Sequence, residues 1–344
     1  MRVVMARQPG APSWGRRVSA LVVPGLLASL LLTGISTSAA PETLPLKVAL
    51  ELDGQFAGWL SSAEGGQPTG LVVVETPDPA GIARKHIAGV KYEDISLTFG
   101  TGMSKDFYQW IADSVAGKGT RKGGAIIVAD YNHNELSRLS FTHGQLAEVG
   151  LPGLDAASKD AAKMTVKLSP ETTRMDFPSN LKYSQPDPKV QKKWLPANFR
   201  VSIDGLADGD GAKKINSIDP IVISHLAAGP GGGGGGGGGG KAVGPPVLSN
   251  VILGSYEYRS KPFFTALEDF VVKGNNGQAQ ERSGKLEYLA SDDKTVLFTL
   301  TFSHLGIFKL TPEKVESNQA SLRRVKAEFY CEQMSFAYSG AAWS

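Results

Sequence analysis

The sequence predicts a mainly β protein with a minor α component: two tandem small β-barrel or sandwich domains, each of about six antiparallel strands with one capping helix. Three observations carry this. Short apolar runs alternate with turn signals such as Asp53-Gly54 and Asp204-Gly205. Helical periodicity is confined to two segments, one after Ser104 and one after Ser260. The same order of elements occurs twice in 344 residues, a length that allows about two domains.

The recurrence is seen by setting Tyr92–Val115 beside Leu248–Val271, which align without a gap. Ile95 and Leu97 match Val251 and Leu253, Ser104-Lys105 matches Ser260-Lys261, Phe107 matches Phe263, and Asp113 matches Asp269. Phe141-Thr142-His143 then answers Phe302-Ser303-His304, and Asp53-Gly54 answers Asp204-Gly205. Shared order and spacing over so many landmarks indicate an internal duplication.

In the first copy the strands are expected at Lys47–Leu52, Gly70–Glu75, Tyr92–Phe99, Ala125–Ala129, Leu136–Thr142 and Met164–Leu168. In the second they are expected at Phe199–Ile203, Lys214–Ser224, Val251–Tyr256, Lys285–Ala290, Thr295–His304 and Arg324–Phe336. Ser104 and Ser260 stand as N-caps, and Pro262 falls in a first turn where a missing N–H costs little. Phe107, Trp110, Ile111 and Val115 share one helical face, and Phe263, Leu267, Phe270 and Val271 repeat it. Gly117, Gly119 and Gly274 stop the helices.

Residues 1–40 read as a signal peptide. Arg16-Arg17 precedes an apolar run, Val18–Leu32, and the small residues Ser36–Ala40 offer cleavage sites. The run is too short for a stable membrane span, so the protein is expected to be exported to the periplasm or cell exterior, by the secretory or the twin-arginine route. The first β domain occupies 41–168, a Pro-rich linker 169–196, and the second domain 197–344, with a Gly-rich loop insertion at 229–246 that includes ten consecutive glycines.

Four of the 36 basic residues lie in the leader, which has no acid, leaving 32 against 33 acidic residues in the body. That balance gives no reason to expect a nucleic-acid partner. The lone Cys331 excludes an internal disulfide or a Cys-rich metal site and reads as a packed thiol in a strand. The histidines are scattered; the matched His143 and His304 read as strand-end residues repeated by the duplication. Asp130–Glu135 lacks the glycine and ligand spacing of a calcium loop and reads as a hairpin turn. The glycine run lacks a phosphate-loop ending, and no nucleophile elbow occurs. Neither catalytic, metal nor cofactor-binding residues are expected, and the chain is not expected to be an enzyme.

Leu46 to about Leu168 resembles the tail-tube proteins of contractile phages and phage-like injection systems. The likeness rests on the opening strand into Asp53-Gly54 and on the segment His86–Gly100 with Gly89, Tyr92, Ile95, Leu97 and Gly100. It continues through Phe107-Tyr108 and Trp110 at a helix start, Arg121-Lys122 before the next strand, and Leu154-Asp155-Ala156 at a late turn. The structural motif positions are therefore Gly54, Gly89, Tyr92, Ile95, Leu97, Gly100, Phe107, Trp110 and Asp155, with Gly205 and Phe263 in the second copy. That copy lacks the tryptophan and the late Asp-Ala turn.

The resemblance implies a non-catalytic structural protein that assembles with itself into rings or a tube, with other tail or sheath-like proteins as partners. Two units per chain suggest a trimer of pseudo-sixfold symmetry. The competing expectation is a monomeric exported binding module that presents loops on the same fold.

Overall fold

The computed structural model describes residues 45–77, 79–178, 181–183, 185, 194–207, 215–227, 243–314, 317 and 322–339. The expected leader and the glycine run lie outside these residues. The chain opens with strands β1 (Lys47–Leu52) and β2 (Gln55–Leu60), joined through Asp53 and Gly54, at φ 49° and 79°. Two left-handed residues in a two-residue loop match the right-handed twist of the flanking strands, which is why Asp-Gly stands here.

Strands β3 (Ser62–Gly65), β4 (Pro68–Val74), β5 (Lys85–Tyr92) and β6 (Ile95–Phe99) follow. Helix α1 (Lys105–Val115) is capped by Ser104, whose Oγ accepts from the Phe107 N–H. Then come β7 (Lys122–Ala129), the 17-residue β8 (Glu135–Leu151), β9 (Leu154–Asp155), β10 (Met164–Ser169) and β11 (Thr172–Asp176).

The second half contains β12 (Phe199–Ile203), β13 (Ile215–Ile218), β14 (Ile221–Ala227), β15 (Val243–Leu248) and β16 (Val251–Tyr256). Helix α2 (Lys261–Leu267) widens into a π turn at Glu268–Val272, and β17 (Arg282–Leu289), β18 (Val296–Pro312) and β19 (Arg324–Tyr338) complete the chain.

Among the described residues the strand pairings are antiparallel. The first sheet runs β2-β1-β7-β8-β10-β6-β3, and the second runs β12-β17-β18-β19-β16-β13-β9. Matched by position in each half, β1, β7, β8, β10, β6, β3 and β12, β17, β18, β19, β16, β13 stand in the same order. The irregularities match as well. His143 and His304, at φ 45° and 57°, sit at bulges where β8 meets β7 and β18 meets β17. Further along, Ala147 and Phe308 are the extra residues where β8 meets β10 and β18 meets β19. A bulge bends a strand without ending its pairing. The first half of β8 thus lies between β7 and β11, and the second half between β10 and β14.

Several elements differ from their sequence expectations. The histidines do not end strands: β8 and β18 continue through them, because a left-handed residue at a bulge looks like a stop only in one dimension. The first half has more strands than six, since β2 and β3 are additional and so is β5, of which only Tyr92 falls in the expected Tyr92–Phe99 strand; the rest of that strand is β6, beyond Glu93-Asp94. The expected Lys214–Ser224 strand is likewise two, β13 and β14, parted at Asp219-Pro220. Thr172–Asp176, assigned to the linker by its flanking prolines, instead pairs with β8 as β11, and Trp194 is buried against Tyr288 and Phe298. Pro170, without an N–H to donate, separates β10 from β11, whereas β19 runs unbroken through the matching place. Ser260 does not cap α2 with its side chain; its hydroxyl donates to the Tyr256 carbonyl. Within the π turn, Val271 leaves the buried face and is exposed.

One hydrophobic core takes in both halves, including Leu50, Leu97, Phe107, Trp110 and Leu168 from the first and Leu253, Phe263, Leu286, Phe302 and Phe329 from the second.

Candidate interaction surfaces

The junction between the halves is built from three features. Tyr108, on α1, is buried beneath the second half: its ring stacks on Tyr338 at 4.2 Å and lies 5.2 Å from Phe298, while its hydroxyl donates to the Gly100 carbonyl. Burial pushes the Tyr108 phenol well above its ordinary value, so it remains a hydrogen-bond donor at any physiological pH. Short β9 pairs with β13 across the junction, joining Asp155 to Ser217. Finally, the β14–β15 hairpin reaches back to the first half, where Ile221, Val222, Ile223 and Ser224 pair with Leu151, Gly150, Val149 and Glu148 of β8. There the Ser114 hydroxyl meets His225 Nε2 at 3.0 Å.

Among the described residues, the matching hairpin of the first half, β4–β5, pairs with no other strand. It forms a two-stranded sheet of its own. Both of its faces carry exposed apolar side chains: Leu71, Val72 (61% exposed), Val73 and Val74 on β4, and Ile87 (66%) and Val90 on β5. A two-stranded ribbon in water is marginal by itself, and contiguous exposed apolar surface marks an interaction site. Further exposed apolar residues lie at Met175 and Phe177 (77%), and at Phe264 (41%), Val271, Val272 (75%) and Phe308.

Titratable groups cluster beside the two bulges. His143 Nδ1 lies 3.2 Å from Glu171, and His304 Nδ1 lies 2.8 Å from Glu281, which also accepts from the Tyr330 hydroxyl at 2.7 Å. Each histidine thus has a carboxylate neighbour that the sequence reading did not find. The repeated spacing carried half of the signal: Glu171 stands 28 residues after His143 as Glu332 does after His304, whereas the carboxylate bonded to His304 is Glu281, 23 residues before it. Ligand atoms of Glu281, His304 and Glu332 fall within 4.8 Å of one another, yet Glu281 is already satisfied by hydrogen bonds and Glu332 is exposed. The group holds the bulge in place and needs no ion to explain it. Cys331 is half-buried, bonded to the Gln333 carbonyl, with its thiol pushed up to about 11 mainly by burial. Asp130–Glu135 is a hairpin turn in which Asp130 accepts from the Asn134 amide.

The motif positions do not converge on a pocket. Ile95, Leu97, Phe107, Trp110 and Phe263 are core residues, and Trp110 donates its indole N–H to the Thr120 carbonyl. Gly54 and Gly205 make left-handed turns, Gly100 follows β6, Gly89 and Tyr92 belong to the exposed ribbon, and Asp155 is at the junction.

Fold and site together define a mainly β protein whose distinctive surfaces are a two-stranded apolar ribbon and exposed apolar side chains on the second helix. Residues 75–174 match the family model described as T4-like virus tail tube protein gp19, so this stretch carries the signature of a phage-like tail-tube protein. The match takes in Gly89, Tyr92, Ile95, Leu97, Gly100, Phe107, Trp110 and Asp155, and leaves out Gly54, Gly205 and Phe263. No curated protein matches the chain. Among solved structures, the sheath-tube complex of an extracellular contractile injection system, PVC, in its extended state is 17% identical, with a TM-score of 0.35, over 42% of this chain and 99% of that one. The sheath/tube terminator of the same system gives 17%, 0.33, 38% and 93%. Hcp1 of Flavobacterium johnsoniae gives 16%, 0.27, 38% and 96%. Among the described residues no helix is long and apolar enough to cross a membrane.

Proposed function

We propose that the protein is a non-catalytic structural subunit carrying two tail-tube-like units in tandem, which assembles with itself into rings or a tube. The observation that carries this reading is the tail-tube family match at residues 75–174. The common strand order of the two sheets, with bulges at matched positions, supports a duplication and extends the tube-like unit to the second half. Three chains would supply six such units, making a pseudo-sixfold ring in which sheet margins are covered by neighbours. Export is supported by the Arg16-Arg17 and Val18–Leu32 pattern. Sheath-like or other tail proteins are the expected further partners. The exposed apolar ribbon β4–β5 speaks for assembly over the competing monomeric binding module.

Size-exclusion chromatography of the full chain with light scattering tests the reading. Assembly gives a peak at the mass of three chains or a multiple of it; a single-chain mass that persists at high concentration contradicts it.

A further inference from the structure

The contact that joins the halves inside one chain is half of a pattern that the chain leaves open. Each unit has a hairpin, β4–β5 or β14–β15, and a seat beside its long strand. The second hairpin occupies the first seat, on β8 at Glu148–Leu151. The first hairpin is empty-handed, and so is the second seat: among the described residues, no strand lies beside Gly306–Pro312 of β18 on the side away from β19. We propose that the β4–β5 ribbon of one chain adds to the β18 edge of a second copy, repeating between chains the β14–β8 pairing within the chain. The inference rests on the self-assembly reading above and names its contact.

The internal contact fixes the register. The Glu93 N–H donates to the Gln67 carbonyl as the Ser249 N–H donates to that of Val222, so Gln67 corresponds to Val222 and Thr69 to Ser224. The bulges at Ala147 and Phe308 set Lys309 against Glu148. Ser224 faces Glu148, so Thr69 of one chain faces Lys309 of the next.

A second feature of the same two faces agrees independently. Tyr108 of α1 is buried against Phe298, Phe336 and Tyr338 of the second unit. Its counterpart on α2 is Phe264, which is 41% exposed. By register, Met175 pairs with Leu139 as Phe336 pairs with Leu300. Met175, and Phe177 two residues on, therefore stand where Phe336 and Tyr338 stand, and both are exposed. The plug and its socket are thus both uncovered, on the faces that the ribbon and the β18 edge would bring together. A heterologous contact of this kind continues from chain to chain and closes into a ring when its rotation allows.

Cysteine trapping in the full chain, in a Cys331→Ser background, tests the contact. Directly opposed strand residues have Cα atoms about 4.5–5.5 Å apart, within disulfide range. Ser224→Cys with Glu148→Cys, whose partners already face each other, serves as the intrachain control. Thr69→Cys with Lys309→Cys should give, on mild oxidation, a reducible ladder ending at three chains, and a mixture of the two single variants should give heterodimer. Phe264→Asp should abolish assembly and leave the melting temperature of the single chain unchanged. Rings or higher mass that persist without any Thr69–Lys309 disulfide would overturn the contact and spare the assembly reading. Single-chain mass with no disulfide would overturn both. A ladder running past three chains would uphold the contact and remove the three-copy ring.

Discussion

The two halves have one strand order and opposite fates at matching positions. Tyr108 is buried and Phe264 exposed; the β14–β15 hairpin is seated and the β4–β5 ribbon stands free. Trp110 fills the first core where the second has Ala266, and the second helix widens into a π turn in which Val271 and Val272 are exposed. The lesson is that topology is set by the shared landmarks, whereas the identity of a surface depends on which neighbour covers it. Residues that are core in one copy are exposed in the other.

Truncating the matched aromatics should have the largest effect, and an unequal one. Tyr108→Ala should destabilise the chain by about 3–5 kcal/mol in denaturant unfolding, as expected for removing a buried ring. Phe264→Ala should cost the single chain no more than about 0.5 kcal/mol, the range of an exposed change. Equal losses at both sites would remove the distinction between a filled and an open socket.

Next in size is the glycine at matched positions within β7 and β17. A methyl at Gly124 would meet the Glu51 carbonyl and lie 2.7 Å from the Phe141 ring, whereas at Gly284 the nearest atoms are the Ser202 carbonyl at 3.0 Å and Leu305 at 3.1 Å. Gly124→Ala should therefore lower stability by about 1–3 kcal/mol through overpacking, and Gly284→Ala by less, read from the midpoints of urea melts.

Much of this frame was legible in the sequence because its causes are local. Asp53-Gly54 needs two left-handed residues, Ser104 caps three residues ahead, and Phe107, Trp110 and Ile111 share a helical face. What escaped was non-local or masked by a local signal. β4 and β5 are exposed on both faces, so no alternation marks their edges. The junction pairs of β9 with β13 and β14 with β8 link residues about 60 to 75 positions apart, which no window of periodicity spans. His143 and His304 read as strand ends because each stands just after a run of strand residues, yet the ladders resume beyond the left-handed bulges at which they sit.

The smallest effects concern turns and the thiol. Asp292 accepts from the amides of Lys294 and Thr295 and from the Thr295 hydroxyl, which hold its carboxyl at about 2, below the ordinary 3.8. Because the folded value is the lower one, this turn's contribution is complete above the unfolded value and is lost as pH falls through about 2. The Thr295 amide resonance should titrate with that midpoint; a midpoint near 3.8 would separate this turn from the depressed carboxyl of Asp130 in the first half. Cys331, with its thiol at about 11, should alkylate slowly at pH 8 and faster with each step upward, as followed by mass spectrometry.

Whether these two unequal halves are consecutive members of one closed circle can be seen directly in negative-stain class averages of the full chain. Hollow rings with six lobes, alternating in two shapes and repeating every third of a turn, are what tandem tube-like units require. Uniform single particles the size of one chain, at every concentration imaged, would contradict it.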